Sequence, residues 1–287
     1  MHWYVIIGIV IFFIIFYIIL LMPNFSHREA MKPFLGLAFA HRGLHDARKL
    51  IPENSMYAFK EAVRHKLAIE LDIHLTRDNQ VVVFHDELLE RVCGVPGTVE
   101  DSTYEELRML HLLNTDEHIP LFKEVLDYID GRVPLLIELK LPTQDMRLCS
   151  YAMELLSQYE GAYLVQSFNS LGMRWFKQNA SDILRGQLSS ALTKSNKENP
   201  YIVRFCVQHL LTNILCRPDF ISYKLADAGN PSLRLIHRVF KTPAAVWTLR
   251  TEKACRKAVE NYDMYIFEHE ENVKCFENVL KNKQNNL

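Results

Sequence analysis

Strand-like apolar runs alternate with amphipathic, helix-like stretches along nearly the whole chain from Gly36 onward. If the short run Val81–Phe84 is set aside, the pattern predicts eight strands. They lie at His41, Glu70, Glu138, Gln166, Arg185, Ser222, Val246 and Ile266. Strands that alternate with helices form a parallel sheet. Eight such units predict a distorted TIM (β/α)8 barrel over residues 36–287. A doubly wound sheet is the alternative, but HRGLHD after the first strand lacks its Gly-rich phosphate turn.

The segment Trp3–Met22, WYVIIGIVIFFIIFYIILLM, contains no charged residue. A helix needs roughly 20 apolar residues to cross a bilayer core, and Trp3 and Tyr17 are aromatic residues of the kind found at membrane interfaces. A cleaved signal peptide would have a basic start and small residues at a cleavage site, and neither is present. We expect residues 1–22 to be a transmembrane anchor, followed by a linker over residues 23–35.

Charge near the anchor predicts the orientation of the chain. No Lys or Arg precedes the apolar segment, whereas Arg28 and Lys32 follow it. Positive charge favours the cytoplasmic side, so we expect a single-pass cell-membrane protein with a cytoplasmic catalytic domain. Six scattered cysteines without a CxxC pair suit a reducing compartment. A net charge of -1 gives no reason to expect a nucleic-acid partner.

The stretch Glu70–Asp86, ELDIHLTRDNQVVVFHD, predicts a hairpin that carries charged groups. Glu70 and Asp72 are two residues apart and therefore point to the same face of a strand. The turn TRDNQ is too short for a helical crossover, so the following strand folds back and brings His85 to the level of the two carboxylates. A buried pair of like charges requires a cation, a proton or open water. A surface hairpin with solvated acids is the alternative.

Functional residues of TIM barrels lie at the carboxyl ends of the strands. Six polar residues occupy such positions here: His41, Arg42, Glu70, Asp72, Glu138 and Lys140. Three of them, Glu70, Asp72 and Glu138, offer hard oxygen donors, which suit Mg²⁺ or Ca²⁺ and not zinc. In the alternative interpretation, Glu138 pairs with Lys140 and the other acids are solvated.

Two histidines are candidates for acid–base chemistry. His41 and His85 lie near the predicted metal site, and an imidazole can give or take a proton near neutral pH. Two opposed imidazoles suit an acid–base pair on the two sides of a phosphorus centre. Burial as hydrogen-bonded core residues is the alternative for either one.

Four further residues are candidates for substrate binding. Arg42 and Lys140 would supply positive charge to a phosphodiester. Phe168 and Trp247 also end strands and would line the organic part of a substrate, with ordinary core packing as the alternative. Glu53 suits either the site or a helix cap, and Glu268 has no assigned role.

Several motifs, taken together and in order, resemble the glycerophosphodiester phosphodiesterase family. They are AHRG (Ala40–Gly43), PENS (Pro52–Ser55), ELDIHLTRD (Glu70–Asp78), VVVFHDELLERVCG (Val81–Gly94), IPLFKEVL (Ile119–Leu126) and IELK (Ile137–Lys140). Weaker similarities, QSFN, VWTL and YIFE, extend the resemblance towards the end of the chain. The short excursion Glu87–Pro120 resembles the compact bacterial-type members, and the region after Leu188 diverges. That divergence leaves the choice of substrate open.

The resemblance implies a distorted TIM barrel with a divalent cation, Ca²⁺ or Mg²⁺. It assigns Glu70, Asp72 and Glu138 as metal ligands and His41 and His85 as the acid–base pair. It also places Arg42 and Lys140 on the phosphate. The implied reaction cleaves a glycerophosphodiester to sn-glycerol 3-phosphate and an alcohol. The alternatives are a lysophospholipase D that acts on lysolipids in the adjacent membrane, a non-catalytic phosphate-binding barrel, and a phosphatidylinositol phospholipase C-like barrel.

Overall fold

The computed structural model of the chain describes residues 2–194, 199–271, 273 and 276. Nine strands lie in this part of the chain: β1 (Ala38–Ala40), β2 (Ala68–Leu75), β3 (Val81–Val83), β4 (Leu135–Leu139), β5 (Tyr163–Ser167), β6 (Arg185–Ser189), β7 (Phe220–Lys224), β8 (Ala244–Leu249) and β9 (Met264–Phe267). Eight of them are parallel, and the ring closes where β1 pairs with both β2 and β9. The ninth strand, β3, is antiparallel to β2. The predicted TIM barrel with a short hairpin is therefore confirmed.

The described residues also form twelve helices: α1 (His2–Leu21), α2 (Arg28–Met31), α3 (Met56–Arg64), α4 (Glu90–Cys93), α5 (Tyr104–Leu107), α6 (Phe122–Ile129), α7 (Arg147–Leu156), α8 (Ser170–Asn179), α9 (Tyr201–Gln208), α10 (Asn213–Cys216), α11 (Pro231–Arg238) and α12 (Glu252–Asn261). The sequence pattern of Tyr201–Cys216 predicts one helix, but the structure divides it into α9 and α10, because Leu210 adopts a left-handed φ of 57°. The sequence after Glu270 predicts a short helical tail, which lies mostly outside the described residues.

The alternation of side chains along β2 separates two environments. Ile69, Leu71 and Ile73 point outward and pack against the surrounding helices. The intervening Glu70 and Asp72 point to the barrel interior, because successive strand residues face opposite sides. Apolar side chains fill the opposite, amino-terminal end of that interior: Phe39, Ala68, Leu136, Leu164, Phe220, Ala245, Met264 and Ile266. The interior is therefore apolar at one end and acidic at the other.

The segment 23–35, predicted as a linker, closes the amino-terminal end of the barrel. Within it, α2 and the 3-10 turn Lys32–Phe34 bury the side chains of Met31 and Phe34 in the apolar cluster of the barrel interior. The backbone N–H of Gly36 then donates to the carbonyl of Asp263, just before β9 (2.6 Å). The end of the barrel opposite the acidic side chains is therefore sealed by the chain itself.

One helix in the described part of the chain, Trp3–Leu21, is long and apolar enough to cross a membrane, with a mean hydropathy of 3.2. Just after this helix, the backbone N–H of Asn24 donates to the carbonyl of Pro218, immediately before β7 (2.9 Å). Further back, the hydroxyl of Tyr17 bonds that of Ser232, in the helix that follows β7 (2.8 Å). The helix α1 therefore runs antiparallel to β7, and its residues 3–16, which are exposed, extend towards the carboxyl ends of the strands.

Candidate functional site

The site begins at the turn that follows β1. Arg42 and Gly43 both have positive φ, 55° and 79°, so the chain reverses sharply directly after His41. The backbone N–H of Arg42 donates to Glu70 Oε2 (3.0 Å), and that of Gly43 donates to the carbonyl of Glu70 (3.2 Å). These bonds fix the HRG turn to the strand that carries two of the acids.

Gly43 is required here by conformation and by space. A Cβ at this position would lie 2.8 Å from Ala58 Cβ, whereas a Cβ at Gly94, whose φ is also positive at 71°, would meet nothing within 4 Å. We expect Gly94→Ala to lower the free energy of unfolding by about 1 kcal/mol. Gly43→Ala should lower it by about 3 kcal/mol, because the clash adds to the backbone strain. Chemical denaturation of both variants measures the difference, and equal losses would contradict this account of the turn.

Three carboxylates meet at the mouth of the barrel. Asp72 and Glu138 are paired residues of neighbouring strands. Glu70, Asp72 and Glu138 are all buried, and their ligand atoms lie within 4.8 Å of one another. Burial, followed by the charges of Asp72 and Glu138, raises the pKa of Glu70 well above its ordinary value. The structure thus brings together the three acids predicted as metal ligands, in surroundings where their charges repel.

The donor set fits a hard divalent cation. The Oδ1 atom of Asp72 is buried and forms an ion pair with Lys140 Nζ, 2.9 Å away. Burial would raise the pKa of Asp72, but the charges of Lys140, His85 and Arg42 outweigh it and lower that pKa. A buried, ionised oxygen beside two more carboxylates is the chemistry that Ca²⁺ and Mg²⁺ use.

Two positive side chains lie against the acids. Lys140 Nζ is 2.5 Å from Glu138 Oε1 and 2.9 Å from Asp72 Oδ1, so the predicted Glu138–Lys140 pair is present. Burial would lower the pKa of Lys140, but the two carboxylates outweigh it and raise that pKa. Arg42 bonds Glu53 at 2.6 Å and lies 3.6 Å from Asp72. Both cations therefore border the acidic cluster.

Each of the two predicted histidines is held by a carboxylate through Nδ1. His41 Nδ1 lies 2.9 Å from Glu268 Oε1, and His85 Nδ1 lies 2.5 Å from Asp86 Oδ1. Burial lowers the pKa of His41 to about 4, although the bond to Glu268 partly opposes this shift. His85 follows β3, and its charge lowers the pKa of Asp72, which places it beside the acids. In both rings, Nε2 is the nitrogen directed to other partners.

Comparison with known proteins decides the family. Residues 41–275 match the family model described as the glycerophosphoryl diester phosphodiesterase family. The chain belongs to this family. The resemblance found in the sequence motifs is therefore confirmed, and the matched range contains the turn, the acids and both histidines described above.

Relatives of this family member include bacterial and human proteins. A glycerophosphodiester phosphodiesterase of Caldanaerobacter subterraneus is 33% identical over 165 residues, which cover 53% of this chain and 66% of the relative. The human Lysophospholipase D GDPD1 is 33% identical over 161 residues, which cover 52% of this chain and 49% of the relative. The chain thus spans about half of the human protein's length.

Solved structures show the same fold. A phosphodiesterase from Oleispira antarctica, solved in complex with the product sn-glycerol 3-phosphate, has a TM-score of 0.69 at 21% identity. That likeness covers 86% of this chain and 98% of the other. A glycerophosphodiester phosphodiesterase from Thermotoga maritima has a TM-score of 0.62 at 23% identity, covering 80% and 93%.

Sequence reasoning missed part of the site of this family member. Asn54, in the PENS motif, donates from Nδ2 to Asp72 Oδ2 (2.9 Å), and the adjacent Ser55 caps α3. Glu268, left without a role, holds His41. His45 lies beside His41, with ring centroids 6.5 Å apart. The PENS motif marked the position of Asn54, but residue spacing alone gave no signal for His45 or Glu268.

A charged network supports the two halves of the site. Glu53 bonds both Arg42 and Arg91, each with an oxygen–nitrogen distance of 2.6 Å, and Arg91 also bonds Asp86. Burial would raise the pKa of Glu53, but these arginines outweigh it and lower that pKa to about 2. Asp86 in turn holds His85, so the network links the HRG turn to the end of β3.

The two predicted aromatic residues also meet. The rings of Phe168 and Trp247 pack edge to face, with centroids 6.0 Å apart. Both side chains are half-buried, and the indole N–H of Trp247 is buried without a hydrogen-bond partner in the described structure. Phe168, just after β5, and Trp247, on β8, therefore form an aromatic pair whose indole N–H has no partner in the described structure.

Proposed function

We propose that this chain is a metal-dependent phosphodiesterase that hydrolyses glycerophosphodiesters to sn-glycerol 3-phosphate and an alcohol. One observation carries the proposal. Three buried carboxylates converge at a barrel mouth, and the segments that carry His41 and His85 are bonded to the strand of two of these acids. A further carboxylate holds each imidazole through Nδ1. This arrangement provides a cation site and two proton carriers in one place.

Glu70, Asp72 and Glu138 would hold the divalent cation, Ca²⁺ or Mg²⁺. When bound, the cation supplies positive charge that stabilises the negative charge developing on the phosphodiester oxygens. Arg42 and Lys140 would add fixed positive charge for the same oxygens, with the planar guanidinium matching the phosphate geometry. Phe168 and Trp247 would line the organic part of the substrate.

The two imidazoles move the protons. Because Glu268 accepts the Nδ1 proton of His41 and burial keeps this imidazole neutral, Nε2 of His41 takes the proton of the attacking hydroxyl. A new bond then forms from that oxygen to phosphorus, and the bond to the leaving alcohol oxygen breaks. His85 gives its Nε2 proton to that leaving oxygen, while the negative charge of Asp86 lies against the ring. The attacking oxygen is that of water or the glycerol 2-hydroxyl. In the second case the first product is a cyclic phosphodiester, which then adds water to give sn-glycerol 3-phosphate.

A second candidate is a lysophospholipase D that acts on membrane lysolipids. The exposed residues 3–16 of α1 extend from the same end of the barrel as the acids, which favours a lipid substrate. A human relative is named a lysophospholipase D. We propose that α1 is a single-pass anchor in the cell membrane, with the barrel on the cytoplasmic side because Arg28 and Lys32 follow the helix.

One substrate panel tests both candidates. The full chain in detergent is assayed with glycerophosphocholine and with lysophosphatidylcholine, each with Ca²⁺, with Mg²⁺ and with chelator. Release of glycerol 3-phosphate from glycerophosphocholine supports the first candidate, and release of choline from lysophosphatidylcholine supports the second. Chelator should abolish either reaction. The absence of turnover on every substrate and metal would favour a non-catalytic phosphate-binding barrel.

Glu268 is predicted to position His41. Glu268→Gln keeps the side-chain shape but removes the charge that fixes the Nδ1–H tautomer. We expect kcat to fall by about 10- to 100-fold with little change in KM. Glu268→Asp should restore part of the activity. A proportional rise in KM, or an equal loss in Glu260→Gln on the exposed face of α12, would contradict this role.

A further inference from the structure

We propose that the mouth of the barrel lies against the bilayer that α1 spans. The first turn of α9, formed by Tyr201, Ile202 and Val203, would insert into the interface of that bilayer. We call these three residues the α9 turn. The proposal rests on the anchor role proposed for α1, but it does not depend on which phosphodiester is cleaved.

The length of α1 places the barrel close to the lipid. Its exposed part, residues 3–16, has 14 residues and is therefore about 21 Å long. A hydrocarbon core is roughly 30 Å thick, and a spanning helix needs roughly 20 residues. The rest of the apolar span Trp3–Leu21 is the packed end of α1, where Tyr17 contacts Ser232 and Leu21 is fully buried. The barrel edge beside Tyr17 must then lie at the membrane interface.

That edge is on the mouth side. The carbonyl of Gln208, at the end of α9, accepts a hydrogen bond from the hydroxyl of Tyr223 near the end of β7 (2.9 Å). The carbonyl of Val207 accepts one from Ser189, the last residue of β6 (2.9 Å). The end of α9 is thus level with the carboxyl ends of these strands. Leu210, just after α9, packs in the same apolar cluster as Tyr17. The segment that follows α9 therefore packs beside α1, as does α10.

The surface of the α9 turn suits lipid. Tyr201, Ile202 and Val203 are three consecutive exposed apolar residues. They lie at the mouth side, since the adjacent Arg204 donates from Nη1 to the carbonyl of Leu192, just after β6 (3.3 Å). Contiguous exposed apolar side chains mark interaction sites, and tyrosine is enriched at membrane interfaces. Leu50 and Leu88, in the loops that follow β1 and β3, are exposed on the same end of the barrel. A bilayer is the occupant we infer, because α1, the proposed anchor, extends from this same end of the barrel.

This orientation determines how a substrate reaches the acids. A lipid phosphodiester in the leaflet would enter the mouth without leaving the membrane surface. The sealed end of the barrel, where Met31 and Phe34 are buried, would face away from the membrane. A soluble glycerophosphodiester would have to reach the mouth along the lipid surface.

Photo-crosslinking tests the orientation without any assay of activity. The full chain is reconstituted in phosphatidylcholine vesicles that contain a radiolabelled lipid, with p-benzoylphenylalanine in place of Ile11, Ile202 or Val239. Ile202 and Val239 are matched, since each is 64% exposed, but Val239 lies before β8 at the sealed end. We expect lipid adducts at positions 11 and 202 and none at 239.

Every other outcome overturns the proposal. A lipid adduct at 11 but not at 202 would show that the mouth does not contact the bilayer. Adducts at 239 in place of 202 would show that the opposite end of the barrel faces it. The absence of an adduct at 11 would show that α1 does not lie in the membrane. A crosslinked dimer at 202 without lipid would make the α9 turn a contact between copies of the chain. A failure of the proposed hydrolase function would leave every crosslinking result unchanged, so the two failures are distinguishable.

If the protein hydrolyses lysolipids, a kinetic measurement provides a second test of the insertion of the α9 turn. The measured quantity is the turnover of lysophosphatidylcholine in vesicles divided by its turnover in detergent micelles. Ile202→Asp should lower this ratio about tenfold, because a charge in the interface weakens membrane contact. Val239→Asp should leave it unchanged. Equal ratios in the two variants would contradict insertion of the α9 turn.

Discussion

Glu70→Gln is expected to lower metal-dependent turnover by about 10³-fold while the metal-free protein becomes no less stable. The two effects have one physical origin. Burial and the charges of Asp72 and Glu138 raise the pKa of Glu70, so its ionised form is disfavoured in the folded chain. A neutral amide of the same shape relieves that repulsion. It also removes one of the three charges that would bind the cation.

Thermal unfolding with and without Ca²⁺ or Mg²⁺ separates these effects. Ligand that binds the folded chain raises Tm, because it increases the free energy of unfolding by about 2.7 kcal/mol when it is at a hundred times its Kd. We expect a metal-induced rise in the wild type and in Glu105→Gln, an exposed acid on α5. Glu70→Gln should lose the rise but keep or increase the metal-free Tm. An unchanged metal response and unchanged kinetics would exclude Glu70 from the ligand set.

The acidic half of the site was predictable because local rules determine it. The two-residue spacing of Glu70 and Asp72 fixes their common face on a strand. The short turn before β3 forces an antiparallel return, and the observed pairing of Ile73 with Val83 follows from it. Parallel pairing then sets Asp72 beside Glu138. The two-residue period of strand side chains and the length of the turn before β3 are both visible in the sequence. Together with parallel pairing, they bring these residues together.

The supporting residues were not predictable because they depend on how distant loops pack. Glu268 follows β9 and reaches His41 only because the barrel closes between β9 and β1. Asn54 has a positive φ of 53°, and the sequence gave no sign of its turn towards Asp72. The direction of α1 likewise depends on a contact between Tyr17 and Ser232, 215 residues apart. Such contacts are set by tertiary packing.

His41→Ala and His85→Ala are expected to differ in how they respond to the leaving group. The turnover of glycerophosphocholine should fall about 10³-fold in both variants, because its leaving alcohol needs a proton. On the p-nitrophenyl ester of glycerol phosphate, the leaving phenolate needs none. The turnover of this ester should therefore fall less than about tenfold in His85→Ala. In His41→Ala it should fall as much as the turnover of glycerophosphocholine does, because the attacking hydroxyl must still give up its proton. His65→Ala, an exposed histidine at the end of α3, should be unchanged on both.

The assignment of roles depends on the surroundings of each ring. Burial lowers the pKa of His41 to about 4, against the opposing effect of its bond to Glu268, and the neutral imidazole that results is a proton acceptor. His41 is therefore assigned the acceptor role, and His85, whose Nδ1 lies 2.5 Å from Asp86 Oδ1, is assigned the donor role. The reverse pattern, with His41→Ala rescued by the activated substrate, would exchange the two roles. Equal losses on both substrates in both variants would exclude a general acid at either position and leave charge stabilisation by the cation site as the main source of catalysis.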